Sequence, residues 1–314
     1  MPMPGRFPMP CSLLLCALLL AGCEERAAAP SRTFDAAQAY AYAERQVAFG
    51  PRVPGEPGHA AMVAWLDSLL RTRADTVVLQ RWTHVTAAGD TLPLVNVIAR
   101  FNPASTERIL MLAHWDTRPM SDQAARPEDR ETPVPGANDG ASGVAVLLGV
   151  ADALDSVPPG LGVDLLFVDG EDYGDFSARP RRDVLIGSQY YAEHQVGPRP
   201  LFAVLFDMVG DRDLRISAEG NSMVGAPEVV DLVWQVAREL GHGGVFVPHE
   251  GTTIDDDHIP LQQAGIRAID VIDFSYGPNN GWWHTPEDTM DKISAESLGI
   301  VGQVALGVIE RMER

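Results

Sequence analysis

The sequence predicts an α/β fold of three layers, α/β/α, in which helices cover both faces of a central, mostly parallel (mixed) β-sheet. Amphipathic segments with a helical period alternate along the chain with short apolar runs. Such alternation is typical of strands that are buried on both faces of a sheet. About 280 residues follow the N-terminal segment without a linker-like stretch. That length can bury a sizeable core, so one large domain is expected over residues 34–314.

The first elements follow from the spacing of the apolar residues. Residues 34–49 are predicted to form an amphipathic helix, and residues 58–71 a second one. Residues 76–83 and 94–101 are predicted to be strands.

Four further apolar runs are predicted to be the buried strands of the core. Helices are expected between or after them, and in an open sheet of this kind ligands bind beyond the carboxyl ends of the strands. The runs are residues 109–113, 163–168, 201–206 and 268–272, and the helices begin near Ala141, Val184, Pro227 and Ser294.

The N-terminal residues are predicted to be an export signal. Arg6 precedes an apolar run at residues 13–20, which is too short to span a bilayer and has the length of a signal-peptide core. The run ends in Leu20-Ala21-Gly22-Cys23, which resembles the bacterial lipobox. We therefore expect a signal peptide over residues 1–22, followed by a lipidated Cys23 and a flexible tether over residues 23–33. An ordinary signal peptide that ends near Ala21 is the alternative.

The expected location is that of an exported bacterial lipoprotein. Glu24 does not resemble the inner-membrane retention signal of Gram-negative lipoproteins. We therefore expect the periplasmic face of the outer membrane or the cell surface.

Composition narrows the classes of partner and ligand. The three cysteines are Cys11, Cys16 and Cys23, and the first two leave with the signal. The mature domain then forms no internal disulfide, and any metal is held by oxygen and nitrogen ligands.

The formal net charge of −19 argues against nucleic acid or an anionic lipid surface as partner. Membrane contact is expected only through the lipid on Cys23, and the sequence sets no oligomeric state.

Polar residues of metal-binding types follow the predicted core strands. Scattered surface acids would not repeatedly select strand ends, so these groups are candidates for one site. They are His114-Trp115-Asp116, Asp169-Gly170-Glu171-Asp172, Asp207 and, after a loop, Trp283-His284, with Asn138-Asp139-Gly140 opening a helix.

Each group also has an ordinary structural explanation. A histidine at a strand end is more often structural, and Asn-Asp-Gly is more often a turn or a helix cap. Two features favour a site. His114 and Asp116 lie on one face of an extended segment, and Glu171 and Asp172 place two carboxylates at one strand end. One carboxylate can bind a metal while its neighbour moves a proton, and histidine with carboxylate ligands favours Zn²⁺.

These groups resemble the motifs of the M28 zinc metallopeptidase family and, within it, of the glutaminyl-peptide cyclotransferase (glutaminyl cyclase) branch. The resemblance runs from Phe49-Gly50-Pro51-Arg52 to the last helix and implies a zinc-exopeptidase-like fold. The motifs are Ala113-His114-Trp115-Asp116, Gly136-Ala137-Asn138-Asp139-Gly140-Ala141-Ser142-Gly143, Phe167-Val168-Asp169-Gly170-Glu171-Asp172, Asp207-Met208-Val209-Gly210 and Trp283-His284-Thr285.

The resemblance implies a role for each matching residue. Asp139 is the central metal ligand, and Asp172 and His284 complete a zinc site. Glu171 is the general acid and base.

The same resemblance also implies a second metal position. His114 and Asp207 occupy the positions that hold a second zinc in the two-metal aminopeptidases, and Asp116 orients His114.

Two further matches favour the cyclase branch. Asp256-Asp257-His258-Ile259-Pro260 resembles a cyclase segment whose first aspartate shares a network of acids with Glu171 and Asp207. Trp283 matches a cyclase tryptophan that packs against the substrate side chain. The ordinary alternatives are a solvated acidic run for Asp256 and core packing for Trp283.

The function expected from the resemblance is conversion of the N-terminal glutamine of peptides or proteins to pyroglutamate, with release of ammonia. This reaction is expected to use one zinc ion. The alternative is a two-zinc aminopeptidase that acts on peptide N-termini. A non-catalytic binding lipoprotein is a third possibility. It predicts a missing acid or a broken ligand set, and neither is seen in the sequence.

The sequence departs from the animal cyclase pattern around the substrate pocket. Asp270 stands where that pattern has a histidine, and the stretch at residues 175–177 replaces a tryptophan. The loop at residues 274–281 is richer in glycine and asparagine and is expected to be longer. Candidate replacements for the lost aromatic surface are Tyr173, Phe176 and Trp282.

Overall fold

The computed structural model describes residues 1–3, 5 and 31–314. Arg32–Arg314 form one compact unit. The predicted signal peptide and Cys23 lie outside the described residues, except for residues 1–3 and 5. Among the described helices, none combines the length and the apolar character needed to cross a bilayer.

Six strands form the central sheet. They lie in the order β1-β2-β4-β3-β5-β8, and β2 runs antiparallel to both of its neighbours while the other junctions are parallel. The mixed, mostly parallel sheet predicted from the sequence is confirmed. The strands are β1 Thr76–Val85, β2 Thr91–Phe101, β3 Arg108–His114, β4 Gly162–Val168, β5 Ala203–Asp207 and β8 Ala268–Ile272, and β6 Ile216–Ala218 pairs with β7 Phe246–Glu250 in a separate sheet.

Helices cover both faces of the sheet. Helices α1, α2, α3, α6 and α8 pack on one face, and α4 and α7 contribute to the hydrophobic cluster on the other. Three-residue 3₁₀ turns span Pro127–Asp129, Pro278–Asn280 and Met290–Lys292. The helices are α1 Ala36–Val47, α2 Pro57–Leu70, α3 Ala141–Ser156, α4 Ile186–Glu193, α5 Gly220–Gly225, α6 Pro227–Glu239, α7 His258–Gln263 and α8 Ala295–Met312.

The pleat of β3 explains the two apolar layers. Met111 and Ala113 belong to the cluster under α1, α3 and α8, whereas Leu110 and Leu112 belong to the cluster under α4 and α7. Successive side chains of a strand point to opposite faces, so a run of apolar residues serves both layers. All seven residues of β3 are buried.

The parallel register brings three strand ends to one edge. His114, the last residue of β3, pairs with Val168, the last residue of β4. Leu112 of β3 pairs with Leu205 of β5, two residues before that strand ends at Asp207. The polar residues that follow these strands are therefore placed side by side.

The predicted elements agree with the structure to within a few residues. The third core strand begins at Ala203 instead of residue 201, because Leu201 lies at the surface before the strand. Four short elements, α5, α7, β6 and β7, were not predicted from the sequence, and they have three to six residues each.

Candidate active site

Five candidate metal ligands meet at the carboxyl edge of the sheet. Each ligand comes from a different segment. Two lie at the ends of β3 and β5, one in the turn after β4, one just before Gly140 at the start of α3, and one in the loop after β8. All five are buried, with 7% or less of each residue exposed. They are His114, Asp207, Asp172, Asp139 and His284.

Asp139 stands between two groups of ligand atoms. Its Oδ1 lies 3.1 Å from His114 Nε2, and its Oδ2 lies 3.7 Å from His284 Nε2. On one side His114 Nε2 is 3.1 Å from Asp207 Oδ1, and on the other His284 Nε2 is 3.4 Å from Asp172 Oδ1. Each group offers three atoms within 4.8 Å of one another. Three buried nitrogen and oxygen donors with room for a further ligand are the set that catalytic zinc sites use.

The electrostatics of the site also fit a cation. Burial raises the pKa of Asp172 to about 6, and it raises the pKa of Asp207 as well. For Asp139, hydrogen bonding to His114 and nearby positive charge outweigh burial and lower the pKa. Buried carboxylates that lie this close to one another repel when they are ionised. A divalent ion would supply the missing positive charge.

Glu171 and Asp256 face the same cavity as four of the five candidate ligands. The cavity has a volume of about 220 Å³, and Asp139, Asp172, Asp207 and His284 line it together with these two acids. Burial, followed by the charge of Asp207, raises the pKa of Asp256 to about 7. Burial likewise raises the pKa of Glu171 well above its usual value, and nearby acids add to this rise. Both shifts favour the protonated carboxyl, and Asp256 is able to carry a proton near neutral pH.

Aromatic side chains form one wall of this cavity. Trp283 stacks on His284 with ring centroids 3.8 Å apart, and it meets Phe274 edge-on at 5.0 Å. Phe176, one of the three candidates for aromatic surface, lines the cavity.

The other two aromatic candidates pack elsewhere. Tyr173 packs against the cluster of Leu94 and Ile186, and Trp282 meets Tyr276 edge-on at 5.4 Å. Among the described residues that line the cavity, neither Tyr173 nor Trp282 is found.

Two buried aspartates hold the turns that carry the ligands. Asp116 accepts hydrogen bonds from the backbone N–H groups of Glu171 and Asp172, and its Oδ1 lies 3.6 Å from His114 Nδ1. Asp288 accepts from the backbone N–H of Asp139, at 3.2 Å. Asp116 was a sequence candidate, whereas Asp288 was missed although it lies only four residues beyond His284.

Asp270, the residue that replaces a histidine of the animal pattern, lies in β8 and is not among the described residues that line the cavity. It is fully buried in β8, and neither carboxylate oxygen has a hydrogen-bond partner among the described residues. Burial raises its pKa well above the usual value, and the charges of Asp256 and Asp207 act in the same direction. A neutral, protonated Asp270 is therefore favoured.

The fold and the site together define an α/β enzyme of the metal-dependent exopeptidase class. The chain belongs to peptidase family M28, whose model matches residues 96–309. The predicted membership of this family is confirmed.

Both branches of the predicted function occur among similar proteins. The structure resembles Bacteroides thetaiotaomicron glutaminyl cyclase bound to N-acetylhistamine, at 39% identity and a TM-score of 0.84, over 89% of this chain and 99% of that one. Bovine (Bos taurus) glutaminyl-peptide cyclotransferase is 26% identical over 292 residues, which cover 81% of this chain and 77% of the relative. Aminopeptidase YwaD of Bacillus subtilis (strain 168) is 25% identical over 253 residues, 77% of this chain and 48% of the relative. The chain thus spans about half the length of that aminopeptidase.

Proposed function

We propose that this chain is a zinc-dependent glutaminyl-peptide cyclotransferase, which converts the N-terminal glutamine of a peptide or protein to pyroglutamate and releases ammonia. The observation that carries the proposal is that Asp256 shares one cavity with Glu171 and Asp207, beside the metal ligands and Trp283. This arrangement offers a proton network and an aromatic wall in one pocket. The similarity to bacterial and bovine glutaminyl cyclases supports the same reaction.

The cavity suits the side chain of an N-terminal glutamine. Its volume of about 220 Å³ and the wall formed by Trp283 and Phe274 fit the methylene groups of the substrate. Zinc held by Asp139, Asp172 and His284 would supply positive charge for the γ-carbonyl oxygen. The α-amine and the γ-carbon belong to the same residue, so the attack is intramolecular, and these contacts would hold the two groups together.

Glu171 moves the proton that the reaction requires. The α-amine nitrogen forms a bond to the γ-carbon and loses a proton to Glu171. The bond from the γ-carbon to the amide nitrogen then breaks, and Glu171 returns the proton to the departing ammonia. A carboxyl whose pKa is raised toward the working pH can both accept and donate a proton, and burial raises the pKa of Glu171 in this way.

Asp256 and Asp207 support Glu171 because a group of neighbouring acids retains protons, which limits the negative charge in the cavity. The charge of Asp207 contributes to the raised pKa of Asp256, and the charge of Asp256 contributes to that of Glu171. Neighbouring acids of this kind share protons, since ionising all of them together is unfavourable. The network therefore keeps a proton available at the cavity.

The alternative is a two-zinc aminopeptidase, and the second ligand group favours it. His114, Asp139 and Asp207 form a complete set of donors, and Asp139 lies between the two groups as a bridging carboxylate would. In this reaction Glu171 takes a proton from a water molecule that attacks the first peptide bond. The similarity to an aminopeptidase supports this reaction as well.

The two reactions are distinguished by incubating the purified domain with zinc and either a Gln-Xaa or an Ala-Xaa peptide. The products are identified by mass spectrometry. The proposal predicts that the first peptide loses one ammonia and that the second is unchanged. Release of the first residue from either peptide would instead identify an aminopeptidase.

A further inference from the structure

The loop after β3 reaches the side of His284 that faces away from the other ligands. His284 Nε2 points toward Asp139 and Asp172, whereas its Nδ1 lies 3.2 Å from Asp122 Oδ1. Asp122 is about one-third exposed, so it lies at the rim of the site. The two nitrogens of this ring therefore face different carboxylates, and among the described residues Nδ1 lies within ion-pair distance of Asp122 without forming a hydrogen bond of regular geometry.

Arg118 holds Asp122 in this place and also contacts another ligand. Its Nε and Nη2 donate to the two carboxylate oxygens of Asp122, at 2.8 and 3.3 Å. Its Nη1 donates to Asp172 Oδ1 at 2.7 Å. The Arg118 side chain is only 6% exposed, so the planar guanidinium is fixed by its surroundings. One side chain thus links a metal ligand to the carboxylate that faces a second ligand.

The same loop also holds the backbone of His284. The N–H of Gln123 donates to the carbonyl oxygen of His284 at 3.2 Å. His284 has a φ of 53°, a left-handed conformation that residues other than glycine rarely adopt. Residues in such conformations persist where surrounding contacts determine them. The loop supplies contacts to both the backbone and the ring.

We infer that Asp122, fixed by Arg118, is a positioning residue for the metal ligand His284. An Nδ1–H directed at Asp122 leaves the lone pair of Nε2 free, and Nε2 is the atom beside Asp139 and Asp172. The inference rests on the proposed zinc site. It is independent of the choice between cyclase and aminopeptidase, because both reactions use these ligands.

The test is zinc affinity, measured on the metal-stripped protein by competition with a chromophoric chelator. Asp122→Ala is expected to weaken zinc binding about 10- to 100-fold, the usual cost of losing a partner of a metal-bound histidine. Asp122→Asn keeps an acceptor oxygen but loses the charge, so a smaller loss is expected. The matched control is Asp129→Asn, which removes a carboxylate of the same loop that pairs with the exposed Arg126. The control variant should bind zinc with the same affinity as the wild-type protein.

A second readout separates positioning from general stability. Cobalt(II) bound in place of zinc should show a shifted visible absorption spectrum in both Asp122 variants and an unchanged one in the control. If Asp122→Ala does not fold, the milder Asp122→Asn decides the question. The inference is overturned if the folded variant binds zinc within about twofold of the unchanged protein and keeps its cobalt spectrum. Because neither readout uses a peptide, this failure is distinct from a failure of the proposed reaction.

Discussion

At the scale of single residues, the proposed chemistry of the site centres on Glu171. Glu171 is 7% exposed and lies among other acids, and its pKa is raised by burial first and then by the charges of Asp172, Asp256 and Asp257. Its backbone N–H donates to Asp116, which fixes the turn that carries it. Glu171 is thereby held next to the ligands while its side chain faces the cavity.

We predict that Glu171→Gln lowers turnover by about two to four orders of magnitude, the usual contribution of a general acid and base. Zinc binding should be retained, because glutamine has a similar shape and the metal ligands are unchanged. Turnover of a Gln-Xaa peptide and the zinc content of the same sample are the measurements. The control is Glu131→Gln, at an exposed position. Unchanged turnover with zinc still bound would remove Glu171 from this role.

Strand-end residues were predictable from the sequence, and their supporting partners were not. Glu171, Asp207 and the other candidates follow apolar runs, and such positions gather at one edge of a parallel sheet. Arg118 and Asp122 have the i, i+4 spacing of an ordinary surface ion pair. Their contacts to Asp172 and His284 depend on how distant loops meet, and a local pattern does not carry that information.

At the scale of elements, the distance between α3 and the sheet controls the site. Asp139 lies just before α3, and Asp207 ends β5. Gly143 in α3 lies so close to β5 that a Cβ atom there would overlap the carbonyl oxygen of Phe206 and reach within 3.0 Å of the Ala113 Cβ. The absence of a side chain at Gly143 lets the helix approach the strands closely. This approach sets the separation of Asp139 from the ligands at the strand ends.

We predict that Gly143→Ala destabilises the protein by about 1–3 kcal/mol, since the overlap is with backbone and requires a shift of the helix. The loss should exceed the small gain in helix propensity that alanine brings. Thermal or denaturant unfolding of the metal-free protein measures it, and weaker zinc binding is expected as well. Gly244→Ala is the control, because a Cβ at Gly244 meets nothing within 4 Å. Equal stabilities of the two variants would contradict this explanation.

Long elements with clear hydrophobic patterns were predictable, whereas short ones were not. The strands of the main sheet and the helices α1, α2, α3, α6 and α8 were located within a few residues of their bounds. The small sheet of β6 and β7 and the six-residue helices α5 and α7 were missed. Segments of this length carry too few residues for a period to be recognised, and tertiary contacts decide their conformation.

At the scale of the whole molecule, acidic residues outnumber basic ones in the composition, and several acidic residues are also buried inside the fold. The formal net charge is −19. Inside the fold, burial raises the pKa of Asp256 to about 7 and that of Asp169 to about 6, although Asp169 also contacts His59. In the unfolded chain these carboxyls would titrate near 3.8. The folded metal-free protein therefore binds more protons than the unfolded chain between about pH 4 and 7.

We predict that the metal-free protein loses stability as the pH rises from 5 to 8. Groups whose pKa is raised by folding stabilise the protein fully below about pH 4, and this contribution is lost as the pH rises through about 6 to 7. Thermal unfolding at several pH values measures the trend, and Asp256→Asn should reduce its slope. Zinc should raise the melting temperature more at pH 8 than at pH 5, because ionised carboxylates bind the metal better. A metal-free protein that gains stability from pH 5 to pH 8 would contradict the conclusion that folding raises the pKa values of these buried carboxyls.

The proposed reaction is a zinc-dependent cyclisation at Asp139, Asp172, His284 and Glu171. It is tested most directly by returning zinc stepwise to the metal-free protein in the presence of Gln-Xaa and Ala-Xaa peptides, and following the mass of both. Under the proposed reaction, pyroglutamate formation reaches its plateau at one zinc per chain, with ammonia released and the Ala-Xaa peptide intact. Release of free glutamine or alanine, with a plateau only at two zinc ions per chain, would contradict it.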